Sequence, residues 1–292
     1  MSVTTNKPAS TPTAGDWSVV ISSEKPFFHL PFQELWKCRD LMYLMIYRDF
    51  VTMHKQTVMG FLWYVIPPVL QTVVYNIVFG KIAGISTNQI PPMLFFMSGI
   101  VLWTYFSACL SRTCSTFTSN APLFRKAYFP RLVLPLAACV SSLWQSLVQL
   151  LIFAGFYLYF LLLGAPIHFS YRIIIVPFLI LQLAVLGLGA GCWISALTTR
   201  FRDLQLAVAP VIQLWMYASC IFYPRSSVPE NLQWLMTINP LVPIIEAFRF
   251  SVMGQGQVQI SQWLCSLVIT LIVLVVGLME FGRAEKTMAD TI

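Results

Sequence analysis

Long charge-free stretches set the pattern of this chain. No Asp, Glu, Lys or Arg lies between Lys55 and Lys81, Lys81 and Arg112, Arg131 and Arg172, Arg172 and Arg200, Asp203 and Arg225, or Arg249 and Glu280. Inside these windows the residues are continuously apolar and do not alternate with period two, which favours helices surrounded by hydrocarbon over barrel strands. A bilayer core of about 30 Å takes roughly 20 apolar helical residues to cross. The windows therefore predict six spans, at about 60–80, 93–111, 133–163, 173–197, 204–224 and 262–280. The third is longer than a bilayer requires, so it is expected to tilt or to project beyond the membrane. The fold class is all-α integral membrane.

The flanking segments divide the rest. Residues 1–30 are polar, with Pro, Ser and Thr and no apolar run of signal-peptide type, and read as a flexible cytoplasmic tail. Residues 31–55 form an amphipathic helix, 56–285 the six-span domain and 286–292 a second cytoplasmic tail. At 100° per residue, Phe32, Leu35, Trp36, Met42, Tyr43, Ile46, Phe50 and Met53 share a face of that helix. Gln33, Glu34, Lys37, Asp40, Arg48 and Lys55 lie broadly opposite; Arg39 interrupts the apolar face, and Leu41 and Leu44 the polar one. Trp36, Arg39 and Arg48 then sit at headgroup level if the helix lies on the inner leaflet. A helix packed against the inner end of the bundle is the alternative.

Composition makes the class firm. The chain of 292 residues is 58% apolar, 14% aromatic and 10% charged. A soluble domain is about 25% charged, so a water-facing globular surface and a disordered chain are both excluded. The net charge of +7 is explained by placement. With both ends cytoplasmic, Lys7, Lys25, Lys37, Arg39, Arg48, Lys55, Arg112, Arg125, Lys126, Arg131, Arg200, Arg202, Arg283 and Lys286 fall inside. Lys81, Arg172, Arg225 and Arg249 fall outside, a ratio of fourteen to four that follows the positive-inside rule. No nucleic-acid partner is needed.

Familiar chemistry is absent. Cys38, Cys109, Cys114, Cys139, Cys192, Cys220 and Cys265 have no metal-site or redox spacing, and His29, His54 and His168 are far apart. There is no Walker A loop. Gly187, Gly189 and Gly191 lie inside an apolar 20-mer, where small residues let helices approach closely. The spans carry no mid-depth charge, only amides and hydroxyls such as Gln71, Asn76, Gln145, Gln149, Gln182 and Gln213. Transport coupled through a buried charge is thus disfavoured; uphill movement would draw its energy from a partner.

Three segments carry more. Residues 117–136 combine Phe124, Arg125, Lys126, Tyr128, Phe129 and Arg131 with Pro122 and Pro130, which would open and close a short helix. It reads either as a docking element for a soluble partner or as a basic loop marking topology. Residues 225–261 hold apolar stretches too short to span, broken at Pro240 and Pro243. They suggest re-entrant helices, either a lid over an exit or an external cap, with Trp234 on the segment and Glu246 and Arg249 placed to pair at i and i+3. The turn at 198–205 is explained by topology. Trp and Tyr residues crowd the spans and their ends. They read as an interfacial belt or as rings lining a path for sugars, whose C–H faces stack on aromatic rings.

Four blocks resemble the permease subunits of type-2 ABC exporters, in particular the polysaccharide-exporting branch. They are RDFVTMHKQTVMGFLWYVIPPVLQTVVYNIVFGKI (48–82), LFRKAYFPRLVLPL (123–136), SALTTRFRDLQ (195–205) and WMYASCIFYPRSSVPENLQWLMTINPLVPIIEAFR (215–249). Their order and spacing carry the resemblance, over about residues 30–285. The long polar start resembles the O-antigen branch more than the shorter capsule permeases. One departure is Cys220 in ASCIFYP, where the family often has Pro.

The resemblance implies a non-enzymatic membrane subunit that pairs with a second copy of itself and with two ATPase subunits. ATP and Mg would be held by those partners and no cofactor by this chain. It implies location in the inner membrane, a coupling helix at Phe124–Arg131, and an external gate including Trp234, Pro240, Glu246 and Arg249. It also implies a channel for a lipid-linked glycan, O-antigen foremost, with Trp63, Tyr64, Tyr75, Trp215, Tyr217 and Tyr223 as candidate lining. The rival readings are a permease of the same architecture for capsule or teichoic acid polymer or a small hydrophobic molecule, and a membrane-embedded transferase. The transferase would want clustered carboxylates or histidines at one membrane face, which the sequence does not supply.

Overall fold

The computed structural model describes residues 32–55, 62–120, 129–168, 170–201, 203–256 and 258–289. Helices account for the secondary structure of these residues, and no strand occurs among them. In chain order they are α1 (Phe32–Lys37), α2 (Arg39–Lys55), α3 (Leu62–Tyr75, continued by a π-helical turn Asn76–Ile82), α4 (Pro92–Cys114) and α5 (Thr116–Ser119). Then follow α6 (Val133–Leu162), α7 (Val176–Arg200), α8 (Leu204–Tyr217), α9 (Gln233–Ile238), α10 (Leu241–Met253) and α11 (Ile260–Ala289). Short 3₁₀ turns precede α7 and α9.

Among the described residues, five helical segments are long and apolar enough to cross a bilayer: Leu62–Ile82, Pro92–Cys114, Val133–Leu162, Tyr171–Arg200 and Ile260–Glu285. The expected fifth span at 204–224 is different. Helix α8 ends at Tyr217 after 14 residues, about 21 Å at 1.5 Å per residue, which falls short of a hydrocarbon core of about 30 Å. The chain turns at Ala218 and passes Cys220, whose φ of 53° is left-handed. That conformation is closed to proline, whose ring holds φ near −65°, so the Cys220 departure from the family pattern suits the local backbone. The expected break at Pro240 is present: Glu230–Ile238 and Leu241–Met253 meet at 92°.

Helix α4 forms the axis of the core. From Leu94 to Leu110 nearly every side chain is buried, Thr104, Ser107 and Ala108 excepted, and α4 packs on α6 and α7 while α7 packs on α11. The closest approaches use the small residues singled out in the sequence. A Cβ on Gly189 would lie 2.6 Å from the Leu274 Cα of α11, and one on Gly187 2.8 Å from Cys109 Cβ of α4. One on Gly277 would collide with the Gly189 carbonyl. Glycine is required at these crossings because backbone meets backbone.

The amphipathic segment is two helices, not one, interrupted at Cys38. It lies along the start of α6, with Leu35, Cys38, Leu41, Met42, Met45 and Ile46 clustered against Phe129, Val133, Leu134 and Ala137. The buried face is rotated from the expected one: Leu41 and Met45 face the bundle, while Trp36, Tyr43 and Tyr47 stay exposed. Packing against α6 therefore sets the helix orientation, and an aromatic stripe is left facing outward.

Candidate functional site

Two ends of the bundle can be told apart. The proximal end carries α1, α2, Arg112, Arg131, Arg200 and Arg283; the distal end carries α9, α10 and the turn after α8.

The distal end is organised by Arg249 and Asn239. The Arg249 guanidinium, on α10, is buried. It donates to the carbonyls of Cys220 (3.0 Å), Ile221 (3.1 Å) and Phe95 (3.2 Å) and to Ser98 Oγ (3.1 Å). It also lies over the Phe95 ring, 3.6 Å from the centroid, a cation–π placement. Gly99 leaves room for it, since a Cβ there would stand 3.2 Å from Arg249 Nη2 and 2.9 Å from Ile221 Cγ2. One side chain thus ties α10 to the start of α4 and to the turn after α8. That turn exposes carbonyls because its helix has stopped, and a buried carbonyl without a partner is costly.

Asn239, at the 92° break, uses its whole amide. Nδ2 donates to Ala218 O (2.9 Å) and Ser219 Oγ (3.2 Å), while Oδ1 accepts from Trp215 Nε1 and from the Leu241 backbone N–H, both at 3.1 Å. Next to it, the Pro240 carbonyl accepts from Ser266 Oγ of α11 (2.7 Å), whose oxygen accepts from Gln182 Nε2 of α7 (3.0 Å). The bent helical pair is therefore joined by hydrogen bonds to α4, α8 and α11, and α11 in turn to α7.

The predicted gate residues distribute unevenly over this network. Pro240 and Arg249 belong to it; Trp234 is exposed on α9. Glu246 lies within electrostatic reach of Arg225, and the Arg225 side chain donates to Thr237 Oγ1 (3.4 Å). The expected Glu246–Arg249 pair is not among the described ion pairs, because the donors of Arg249 turn to backbone carbonyls and Ser98 instead. Asn239, Ser98 and Gly99 were not singled out by sequence. Only the contacts made in three dimensions distinguish them from other small polar residues.

The candidate channel aromatics also separate. Tyr75 packs edge-on against Phe222 (4.7 Å between centroids), and Tyr217 stacks on Phe222 (5.2 Å). The Tyr223 hydroxyl donates to Tyr217 O (2.9 Å). These three tyrosines thus gather near the distal ends of α3 and α8. Trp215 instead turns into the bundle, edge-on to Phe106 at 5.1 Å and bonded to Asn239. Tyr64 is buried at the proximal end beside α6, whereas Trp63 is exposed.

Helices α3 and α8 bury little. Met216 alone is buried on α8, and Trp63, Leu70, Gln71 and Val74 on α3 are exposed, as are Leu206, Gln213, Leu214 and Tyr217 on α8. Two of these are amides within apolar helices. In hydrocarbon an amide lacks hydrogen-bond partners, so this face calls for a polar or protein neighbour.

At the proximal end, Phe124, Arg125, Lys126 and Tyr128 lie outside the described residues. Phe129 is buried against Met45 and Val133 and does not face outward as a docking residue would. Arg131 lies 4.0 Å from Glu285 of α11. Arg39 lies over the Trp36 ring at 5.8 Å, and Arg48 pairs with Asp49 at 2.9 Å.

This arrangement of apolar helices, with a short helix before a bent helical pair and an amphipathic segment at the opposite end, describes a multispan helical membrane protein. The family model for ABC-2 type transporters matches residues 40–253, from α2 through α10, and the chain belongs to that family. It is a transmembrane subunit of the ABC transporter type.

Among named relatives, it is 27% identical over 253 residues to the O-antigen export system permease protein RfbA of Klebsiella pneumoniae, covering 86% of this chain and 94% of that one. It is 25% identical over 222 residues to RfbA of Myxococcus xanthus, covering 74% and 82%. To the polysialic acid transport protein KpsM of Escherichia coli it is 25% identical over 234 residues, covering 79% and 88%.

Proposed function

We propose that the chain is the permease of an exporter that moves a lipid-linked polysaccharide, O-antigen foremost, out of the cytoplasm across the inner membrane. The observation that carries this is the unpartnered α3/α8 face, where Trp63, Tyr217, Gln71 and Gln213 are exposed on apolar helices. Rings that stack on sugars and amides that bond hydroxyls suit a glycan path and do not suit lipid. The names of the relatives that cover most of the chain favour the same cargo. KpsM favours a capsule-type polymer as the second reading.

Two copies would face each other across α3 and α8 and enclose the path. The proximal end, with its excess of Arg and Lys, would be cytoplasmic together with both termini. Separate ATPase subunits would hold ATP and Mg and dock at Phe124–Arg131, with Phe124 and Tyr128 as the presented rings. Their closure would push on α4 and α6, which this loop connects. At the other end, the α9–α10 pair would close the exit until Arg249 and Asn239 are displaced from the turn after α8.

Deletion of the gene tests the cargo. Lipid-linked polymer is expected to accumulate inside the cell while surface polymer disappears, and normal surface polymer would refute the reading. Phe124→Ala with Tyr128→Ala is expected to reduce co-purification of the ATPase and to abolish export, while the permease stays folded.

A further inference from the structure

A second site lies at the proximal end, away from the α3/α8 face. Helices α2, α3, α4 and α6 enclose an open groove of about 280 Å³. Its walls are aromatic: Tyr43 and Tyr47 stack at 6.4 Å, and Phe50 meets Trp144 edge-on at 5.2 Å. Tyr64, Val140, Ile46, Leu143 and Leu147 add to the lining. Tyr43 and Tyr47 are nevertheless 70% and 54% exposed, so the groove opens outward along α2.

One end of the groove is polar. Asp49 lies 2.9 Å from Arg48 and 3.9 Å from Arg112. Two guanidinium groups share one carboxylate, so cations outnumber anions among these three side chains. The Ser141 hydroxyl, a lining residue one turn before Trp144, has its oxygen buried with no hydrogen-bond partner.

An apolar trough ending in net positive charge is complementary to an amphiphile with an anionic head and a hydrocarbon tail. Helix α2 leads toward the first span, so the groove lies at the depth where basic side chains meet phosphates. We infer that it holds one anionic phospholipid of the adjacent leaflet. The acyl chain lies along Tyr47, Phe50 and Trp144, and the phosphate beside Arg48 and Arg112. Anionic phospholipids give a cytoplasmic leaflet its negative surface potential, and the groove opens outward along α2. The bound lipid fastens α2 to α6.

Native mass spectrometry of the full chain in mild detergent tests this with phosphatidylglycerol, phosphatidylcholine and polyprenyl phosphate as separate probes. One phosphatidylglycerol is expected per chain, retained in preference to phosphatidylcholine, and it raises the thermal midpoint. Val140→Trp fills the groove from an exposed position and abolishes both effects. Arg48→Gln weakens retention by about tenfold, the loss of one charge-assisted hydrogen bond.

Equal retention of the two phospholipids by the wild type would overturn the inference. So would undiminished retention by a folded Val140→Trp chain. Stronger retention of polyprenyl phosphate than of phosphatidylglycerol would also overturn it and assign the groove to the cargo. None of these readouts depends on export, so failure here leaves the proposed transport function to be judged separately.

Discussion

Arg249 is the side chain on which the distal end turns. A buried cation is expensive unless its donors are satisfied, and here three backbone carbonyls and one hydroxyl accept from it. Arg249→Met is expected to leave the Cys220 and Ile221 carbonyls without the donor they have in Arg249, at about 1–3 kcal/mol each, while the Phe95 carbonyl keeps Ser98 Oγ. Thermal unfolding of the purified chain should show a large fall in midpoint. Arg249→Lys should not restore it, because a single ammonium cannot span acceptors on α4 and on the turn after α8. Trp215→Phe is the milder companion: the ring can still meet Phe106, but the bond to Asn239 Oδ1 is lost. A loss of about 1 kcal/mol is expected, read from the same unfolding curve.

Between elements, the α7–α11 crossing is set by Gly189 and Gly277. A Cβ on Gly189 meets the backbone of Leu274, not a flexible side-chain end, so the helices must separate to accept it. Gly189→Val is expected to lower the yield of monodisperse protein sharply, as read by fluorescence-detected size exclusion. Gly155→Val, where an added Cβ meets nothing within 4 Å, is the matched control and should be tolerated. The short α8 belongs to the same order of organisation. It stops at Tyr217 because the next residues adopt the turn that Arg249 and Asn239 hold, and its length is a consequence of α10 rather than of its own apolar run.

For the complete assembly, the exposed α3 and α8 faces decide what must be added. Leu206 and Leu214 are 83% and 68% exposed on α8. A cysteine at either position is expected to cross-link two copies in the membrane, as read on a non-reducing gel. Gln213→Leu should preserve that cross-link while reducing export, because the amide is proposed to contact glycan hydroxyls rather than to hold the copies together. Loss of both together would mean that Gln213 serves the interface instead.

Most of the helices could be read directly from charge-free windows, because hydrocarbon admits only backbones that satisfy their own hydrogen bonds. The Gly187, Gly189 and Gly191 positions were equally legible, since no other residue type lets two backbones come so close. The break at Pro240 and the basic excess at one end follow from equally local chemistry. The rest depended on contacts between residues far apart in the chain. Nothing near Arg249 in sequence reveals that it bonds Phe95 and Ser98, more than 140 positions away, so the short-range Glu246 pair looked the natural choice. Trp215 and Trp63 have similar apolar neighbourhoods, yet one anchors Asn239 and the other faces outward. Hydrophobic pattern assigns a residue to a span, but which way that residue points is set by the helices packed around it.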